Sequence, residues 1–238
     1  MNICIIIPCY NEEKRLDIDK YEDFLASNKS VNLLFVNDGS VDNTSLILSK
    51  LSEKYSNSSF IDLTQNFGKA NAVREGVLAS LNSKYDIYAY MDADLAVELD
   101  EIPAFINLFD NEKIHFVMGS RWMRLGSNIK RKISRHYIGR VFATLASISL
   151  GLKVYDTQCG AKFFRHDLAA FLFKDKLNAK WLFDVELLFR FMASPKYKIS
   201  NIFEYPVSKW TDVDGSKLKL RDFLKAPLEL VNLIRIYK

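Results

Sequence analysis

The sequence predicts an α/β fold: a doubly wound, mostly parallel sheet flanked by helices, leading into a second half of mixed α/β character. Three observations predict it. Apolar runs of strand length alternate with helical patterns through the first 120 or so residues, the signature of repeated βαβ units. Most of these runs are continuously apolar, as strands covered on both faces are. Each run also ends in a polar cluster, and ligands of such sheets bind beyond the carboxyl ends of the strands. With 238 residues, 49% of them apolar, the chain has enough material for a sizeable core. It shows no internal repeat, no low-complexity run and no Gly/Ser/Pro linker.

The elements follow in order. "ICIII" (3–7) is a short β-branched run that stops at Pro8. "EEKRLDIDKYEDFLASN" (12–28) reads as a polar-rich amphipathic helix. "VNLLFVND" (31–38) is the second strand, and Gly39 and Ser40 turn the chain. Asp42 is a candidate cap for a helix running to about Tyr55. "SFIDL" (59–63) is the third strand. "KANAVREGVLASLN" (69–82) is a helix with Ala72, Val73, Val77, Leu78 and Leu81 on its apolar stripe. "YDIYAYMDAD" (85–94) is the fourth strand. A helix through "IPAFINLFD" has Pro103 near its first turn, and "IHFVMGSR" (114–121) is the fifth strand.

The second half is less regular. "RKISRHYIGRVFATLASISLGL" (131–152) is a helix with a basic start and an apolar second half, most of which is expected in the core. "DTQCGAKFFRHD" is a loop running into a strand. "WLFDVELLFRFMAS" is a helix with Asp184 and Glu186 near its start. "ISNIFEYPVSKW" is a strand interrupted by Pro206, "TDVDGSK" is a polar loop, and "LRDFLKAPLELVNLIRIYK" is an amphipathic helix kinked near Pro227.

Composition narrows the function classes. Cys4, Cys9 and Cys159 are odd in number and form no C-x-x-C, which argues against a disulfide framework or zinc site and suits a reducing compartment. No positively charged stretch precedes the first apolar run, and no apolar segment reaches membrane-spanning length. The expectation is a soluble protein, or one bound to a membrane only at its surface. His115, His136 and His166 are scattered and form no triad or H-E-x-x-H arrangement. Between Glu112 and Asp156 there is no acidic residue, while Lys113, Arg121, Arg124, Lys130, Arg131, Lys132, Arg135, Arg140 and Lys153 fall in that window. Such a window suits a polyanionic partner (nucleic acid, phosphate groups or an anionic membrane surface), or a solvated face balanced by acids elsewhere.

The clusters at the strand ends are "PCYNEE", "NDGS", "QNFGKA", "DADL" and "GSR", and they predict a cleft lined by Asp38, Asn66, Lys69, Asp92, Asp94 and Arg121. Asp92 and Asp94 are two apart, so in an extended segment their carboxylates face one point. That arrangement suits a divalent cation carried by a phosphate ligand. It is also what a solvated turn after a strand looks like.

Taken together, "PCYNEE", "VNDGSVDNT", "NFGKANAVREG", "DADL" and "GSR" resemble the inverting glycosyltransferases of family 2, which have the GT-A fold. "DTQCGAKFF", "WLFDVELL" and "VSKWTDVDGSKL" are similar to the dolichyl-phosphate β-glucosyltransferases and their prokaryotic polyprenyl-phosphate relatives. The resemblance runs from residue 3 to about 220. It implies a single GT-A domain over 1–238, with a nucleotide-sugar half at about 1–120 and an acceptor half at about 121–238. Two departures stand out. Eukaryotic members carry an N-terminal membrane anchor that this sequence does not show. Ala96 stands where many polyprenyl-phosphate mannosyltransferases have glutamine, which points to the glucosyl branch.

The resemblance implies sugar transfer from a nucleotide diphosphate, with UDP-glucose favoured, to a polyprenyl or dolichyl phosphate. Alternatives are a glycan hydroxyl as acceptor, or GDP-mannose as donor. Mg²⁺ or Mn²⁺ is the implied cofactor, held by Asp94 directly, while Asp92 meets the ribose or the metal through water. Pro8, Tyr10 and Glu12 would wall the base, and Asp38 would accept from the uracil N3–H, although it also suits a cap or Asx-turn. Asn66 lines the donor cleft and Lys69 reaches the phosphates, aided by the helix start. Asp156 and Gln158 line the sugar site. Ser216 and Lys217 sit in a Gly215 loop that would close over the pyrophosphate. Arg121, Arg131 and Arg135 are the acceptor-phosphate candidates, since paired guanidiniums bind phosphate bidentately. Asp94, Arg121, Asp184 and Lys217 form the expected catalytic set, with Asp184 near the position of the base in other members. A phosphate acceptor is already ionised and needs no strong base. Partners are therefore a nucleotide sugar, a lipid phosphate and a membrane surface, with no nucleic acid, and the expected location is cytoplasmic, peripheral at the inner face of the membrane.

Overall fold

In the computed structural model, residues 1–130, 133–211 and 220–238 are described, excepting the side chains of 133–136, 138 and 220–224. In chain order the elements are β1 (Ile3–Cys9), α1 (Ile18–Ser27), β2 (Val31–Asp38), α2 (Thr44–Lys54), β3 (Ser58–Leu63), α3 (Lys69–Ser80), β4 (Ile87–Met91), α4 (Ile102–Asn107), β5 (Phe116–Ser120), β6 (Asn128–Lys130), α5 (Ile133–Leu150), β7 (Ala161–Arg165), α6 (His166–Phe173), α7 (Phe183–Ala193), β8 (Ile202–Pro206), β9 (Lys209–Thr211) and α8 (Leu220–Tyr237). They form two compact units, one of residues 1–95 with 161–176, the other of 96–160 with 177–238.

The first unit is built on strands in the order β3-β2-β1-β4-β7. β1, β2, β3 and β4 run parallel, while β7 returns antiparallel to β4, with Tyr90 opposite Lys162. The runs Ile5–Ile7, Leu33–Val36 and Tyr88–Met91 are almost wholly excluded from water. Burying each such aliphatic side chain is worth about 1.5–3 kcal/mol, which is why these runs become central strands. α3 lies so close to β1 and β2 that a Cβ on Gly76 would meet Ile6 Cγ2 at 2.7 Å and Val36 Cγ2 at 2.9 Å. In the second unit, β5 pairs in parallel with β8, and β6 with β9. Helix α7 is buried along most of its length, and α8 supplies the acceptor its amino end lacks: Glu229 Oε2 accepts from the N–H groups of Trp181 and Leu182.

Several boundaries differ from the sequence expectation. The first helix starts at Ile18 rather than near residue 12, with the Asp17 carboxylate accepting from Lys20 N at 3.3 Å as its cap. Residues 12–16 instead form a turn, closed by Arg15 N and Leu16 N donating to Glu12 O. The second helix starts at Thr44, and Asp42 takes its bonds from Thr44 N and Thr44 Oγ1 just ahead of it. The fourth strand ends at Met91, so Asp92 and Asp94 lie beyond it in a turn, and Leu95 takes φ +53°. The short strand β6 and the helix α6, which begins directly at the end of β7, were not anticipated. Pro206 ends β8 rather than interrupting it.

Candidate active site

The loops at the carboxyl ends of β1 and β2 are knitted together. Asn11 N donates to Ser40 Oγ and Val41 N to Asn11 Oδ1, both at 2.9 Å, while Glu12 N donates to Thr44 Oγ1 at 2.8 Å. The Ser40 hydroxyl in turn bonds Asn37 Oδ1, whose amide donates to Asp62 Oδ1 at 2.7 Å. Gly39 also lets the loop after β3 approach closely: at φ +64° a Cβ there would lie 2.4 Å from the Gln65 carbonyl carbon.

Asp38 is buried at 2% exposure, and its two oxygens accept from Phe67 N and Gly68 N, each at 2.8 Å. Its visible work is therefore to fix the loop that leads into α3, the cap-like role left open in the sequence. Gly68, at φ +93°, precedes Lys69 at the first position of α3. Lys69 Nζ reaches Asp92 Oδ1 at 2.5 Å and lies 5.8 Å from the Tyr90 ring. Asn66 is exposed in the same loop.

Asp92 and Asp94 lie in a turn rather than an extended strand, and each is met by a different cation. Asp92 takes Lys69, whereas Asp94 Oδ2 accepts from Arg15 Nη2 at 2.7 Å. Arg15 also spans to Glu12, which is 7% exposed, at 3.2 Å. Tyr21 of α1 fastens the turn from below, its hydroxyl donating to Ala93 O at 3.1 Å. Burial, reinforced by nearby Cys9, Asp94, Asp92 and Glu12, pushes that phenol well above its ordinary range. Pro8 is the last but one residue of β1, and Tyr10 follows that strand, half-buried.

In the second unit, Arg121 does not point to solvent as an unengaged phosphate ligand. Its Nε and Nη2 grip Asp156 at 2.6 and 2.8 Å, and its backbone N–H adds a third bond at 3.1 Å. Gln158 N donates to the same carboxylate at 3.0 Å. Burial alone would raise the Asp156 carboxyl, but the Arg121 guanidinium and these N–H groups hold it well below the usual carboxylate range. Glu204 holds the neighbouring backbone, accepting from Tyr155 N and Asp156 N. The Arg121 guanidinium also lies 5.3 Å from the Trp210 ring. Gln158 Nε2 and Thr157 Oγ1 are buried and have no hydrogen-bond partner among the described residues. Such groups are expected to be satisfied, so they suit ligand oxygens.

Asp184 is 4% exposed in the first turn of α7. Its neighbour Glu186 is fully buried and organises the helix start, accepting from Asn178 N, Asn178 Nδ2, Ala179 N, Arg190 and the Tyr237 hydroxyl. Arg131, Ser216 and Lys217 lie outside the described residues; Arg135 sits in α5 with its side chain outside them.

α5 departs from the expectation of a mainly core helix. Ala143, Ala146 and Leu150 are buried, but Tyr137, Val141, Leu145 and Ile148 are exposed on one face, Ile148 at 72%. Trp122, Met123 and Leu125 are also exposed, and the Trp122 ring lies 6.0 Å from Tyr155, which Arg140 of α5 covers at 3.8 Å. Arg124, Lys130 and Lys153 are exposed as well. Among the described residues, no helix is long and apolar enough to cross a membrane.

The oxygen donors of Asp92 and Asp94, both partly exposed, suit a hard divalent cation. Among the described residues no cluster of three or more His, Cys, Asp or Glu side chains is placed to hold a metal, so the fit is to a cation that brings phosphate or water ligands with it. Of the residues that matter to this arrangement, Arg15, Tyr21 and Glu204 were not anticipated. A helix start at Ile18, capped by Asp17, places Arg15 in the loop and not on a solvated helix face.

Residues 4–173 match the family model of glycosyl transferase family 2. A dolichyl-phosphate beta-glucosyltransferase of Trichomonas vaginalis is 30% identical over 252 residues, spanning 99% of this chain and 74% of that protein. The dolichyl-phosphate beta-glucosyltransferase of Saccharomyces cerevisiae is 31% identical over 251 residues, spanning 96% and 73%. Among solved structures, the UDP complex of glucosyl-3-phosphoglycerate synthase from Mycobacterium tuberculosis superposes with a TM-score of 0.72 at 16% identity, covering 98% of this chain and 80% of that one. The same enzyme with Mn²⁺, UDP and glucosyl-3-phosphoglycerate gives a TM-score of 0.70 at 15% identity, covering 99% and 79%. At those identities the structural likeness carries the fold alone.

Proposed function

The chain belongs to glycosyl transferase family 2, and from that premise we propose that it transfers glucose from UDP-glucose, with inversion, to a polyprenyl or dolichyl phosphate at a membrane surface. The observation that carries the donor side is the gathering of Glu12, Arg15, Lys69, Asp92 and Asp94 at the carboxyl ends of β1 and β4, a set of paired carboxylates and cations suited to a pyrophosphate and its counter-ion. The relatives' names support glucose and a dolichyl phosphate.

In this reading an oxygen of the acceptor phosphate attacks the anomeric carbon, and the bond from that carbon to the donor's β-phosphate oxygen breaks, releasing UDP. The acceptor is an anion near neutral pH, so no strong base is required. Lys69, at the start of α3, turns from Asp92 toward the phosphates, where the helix end adds positive potential. Asp92 and Asp94 are the residues that would hold Mg²⁺ or Mn²⁺, which when bound offsets the charge building on the leaving phosphate. Asp38 shapes the donor loop through its two backbone bonds. Pro8, Tyr10 and Asn66 stay assigned to the donor, Gln158 to sugar hydroxyls, and Arg121, Arg131 and Arg135 to the acceptor phosphate. Lys217 and Ser216 retain their assignment to the pyrophosphate, and Asp184 its assignment near the reacting sugar.

The exposed apolar face of α5, the exposed Trp122, Met123 and Leu125, and the exposed Arg124, Lys130 and Lys153 support peripheral docking on an anionic bilayer. Incubation of the full chain with labelled UDP-glucose, polyprenyl phosphate and Mn²⁺ or Mg²⁺ is expected to yield an organic-soluble labelled lipid. Absence of that product, with labelled GDP-mannose or a glycan acceptor giving turnover instead, overturns the donor or acceptor assignment.

A further inference from the structure

Arg15 is held more tightly than a solvated loop arginine. Its Nη2 donates to Asp94 Oδ2 at 2.7 Å and its Nη1 lies 3.2 Å from Glu12 Oε2, and only 17% of its side chain is exposed. Asp92 is bridged by Lys69 at 2.5 Å. A divalent cation arriving alone would compete for Asp94 with a guanidinium already donating to it. A cation arriving with a pyrophosphate brings its own negative charge. It also offers Arg15 oxygens that a planar guanidinium binds in bidentate fashion.

We propose that Arg15 couples cation to donor: it occupies Asp94 until pyrophosphate oxygens replace that carboxylate as its acceptor, so that cation and nucleotide diphosphate enter as a pair. The inference rests on the nucleotide-sugar reading above and adds a binding order to it. Arg15 is a positioning residue in this scheme, acting on the nucleotide and on the freedom of Asp94. Its signature is a change that loss of structure would not produce, namely tighter cation binding when Arg15 is removed.

The test uses the full chain as wild type, Arg15→Gln and Arg15→Lys. Free Mn²⁺ is titrated by electron paramagnetic resonance with and without UDP, and UDP binding is measured by calorimetry at saturating Mn²⁺. Removing a unit charge a few ångströms from the cation is expected to tighten Mn²⁺ binding without UDP about tenfold in Arg15→Gln. UDP binding in the same variant is expected to weaken about tenfold, as a charge-assisted pair is lost. Arg15→Lys keeps the charge and is expected to bind Mn²⁺ alone as wild type does. Mn²⁺ binding in Arg15→Gln that is unchanged or weaker overturns the proposal, as does an equal shift in Arg15→Lys. If UDP still binds wild type in those cases, the donor reading survives and only the coupling falls. If wild type binds neither Mn²⁺ nor UDP, both fall together.

Discussion

Replacing Asp156 by Asn is expected to unfold the second unit more readily, and the size of the effect follows from the fork it breaks. Asp156 accepts from Arg121 Nε and Nη2 at 2.6 and 2.8 Å and from the backbone N–H groups of Arg121 and Gln158 at 3.1 and 3.0 Å. The two side chains are 12% and 9% exposed, so water screens the pair poorly. Removing one partner of such a pair costs about 3–5 kcal/mol, because the other charge stays buried and unpaired. Asn keeps one carbonyl acceptor, which recovers part of this and leaves a loss of about 2–4 kcal/mol. For a chain of this size that corresponds to a fall in melting temperature of about 5–15 °C. The assay is urea unfolding followed by tryptophan fluorescence, since Trp122, Trp181 and Trp210 all lie in the second unit and Trp210 sits under Arg121. The pH dependence is a second check. Asp156 is depressed in the folded state, so its contribution is complete above its ordinary value of 3.8 and is lost as pH falls below that value toward the folded one. The gap between wild type and variant is therefore expected to stay constant from pH 8 to about 5 and to narrow only in stronger acid. A loss under about 1 kcal/mol, or a gap that closes near neutrality, refutes the view that the fork is a buried, charge-dependent contact.

Tyr21→Phe removes the hydroxyl that donates to Ala93 O and is expected to cost about 1 kcal/mol in urea unfolding and to weaken Mn²⁺-dependent UDP binding, because the turn bearing Asp92 and Asp94 loses its support. Unchanged UDP affinity would limit Tyr21 to packing. Asp94→Ala is expected to abolish glucosyl transfer while circular dichroism stays that of wild type; retained turnover removes the assignment of the cation to this carboxylate. Cys4, Cys9 and Cys159 are all buried, and burial pushes the Cys4 thiol up to about 12. At pH 8 the native protein is accordingly expected to resist Ellman's reagent and to release its thiols only on unfolding, and rapid reaction of the folded protein would contradict this packing.

The strands were legible because their chemistry is local. Val31–Asp38 is a largely apolar run, Leu33–Val36 unbroken, that ends in a polar turn, and no helix pattern competes with it. The α1 start was misread because Glu12 to Arg15 are good helix formers, whereas the chain spends them on side-chain bonds to Thr44, Asp42 and Asp94 that come from distant sequence. β6 escaped notice because three residues carry no periodicity. At the site, "DADL" marked the right carboxylates, but their orientation depended on where β4 stopped. That was decided by the Tyr21 bond to Ala93 and by Leu95 adopting φ +53°, neither of which spacing reveals. Asp38 was recognisable as important, yet its partners are backbone N–H groups, which sequence does not single out.

The absence of a side chain at Gly76 sets the position of the Lys69–Asp92 pair. Lys69 and Gly76 lie on the same helix, about 10 Å apart along its axis. The contacts a Cβ would make with Ile6 and Val36 are too short to absorb without moving the helix or the sheet. Gly76→Ala is therefore expected to shift α3 against the sheet and disturb the Lys69–Asp92 pair. Residue 76 is in this sense part of the frame of the proposed donor site: altering it disturbs the reach of a lysine two helical turns away.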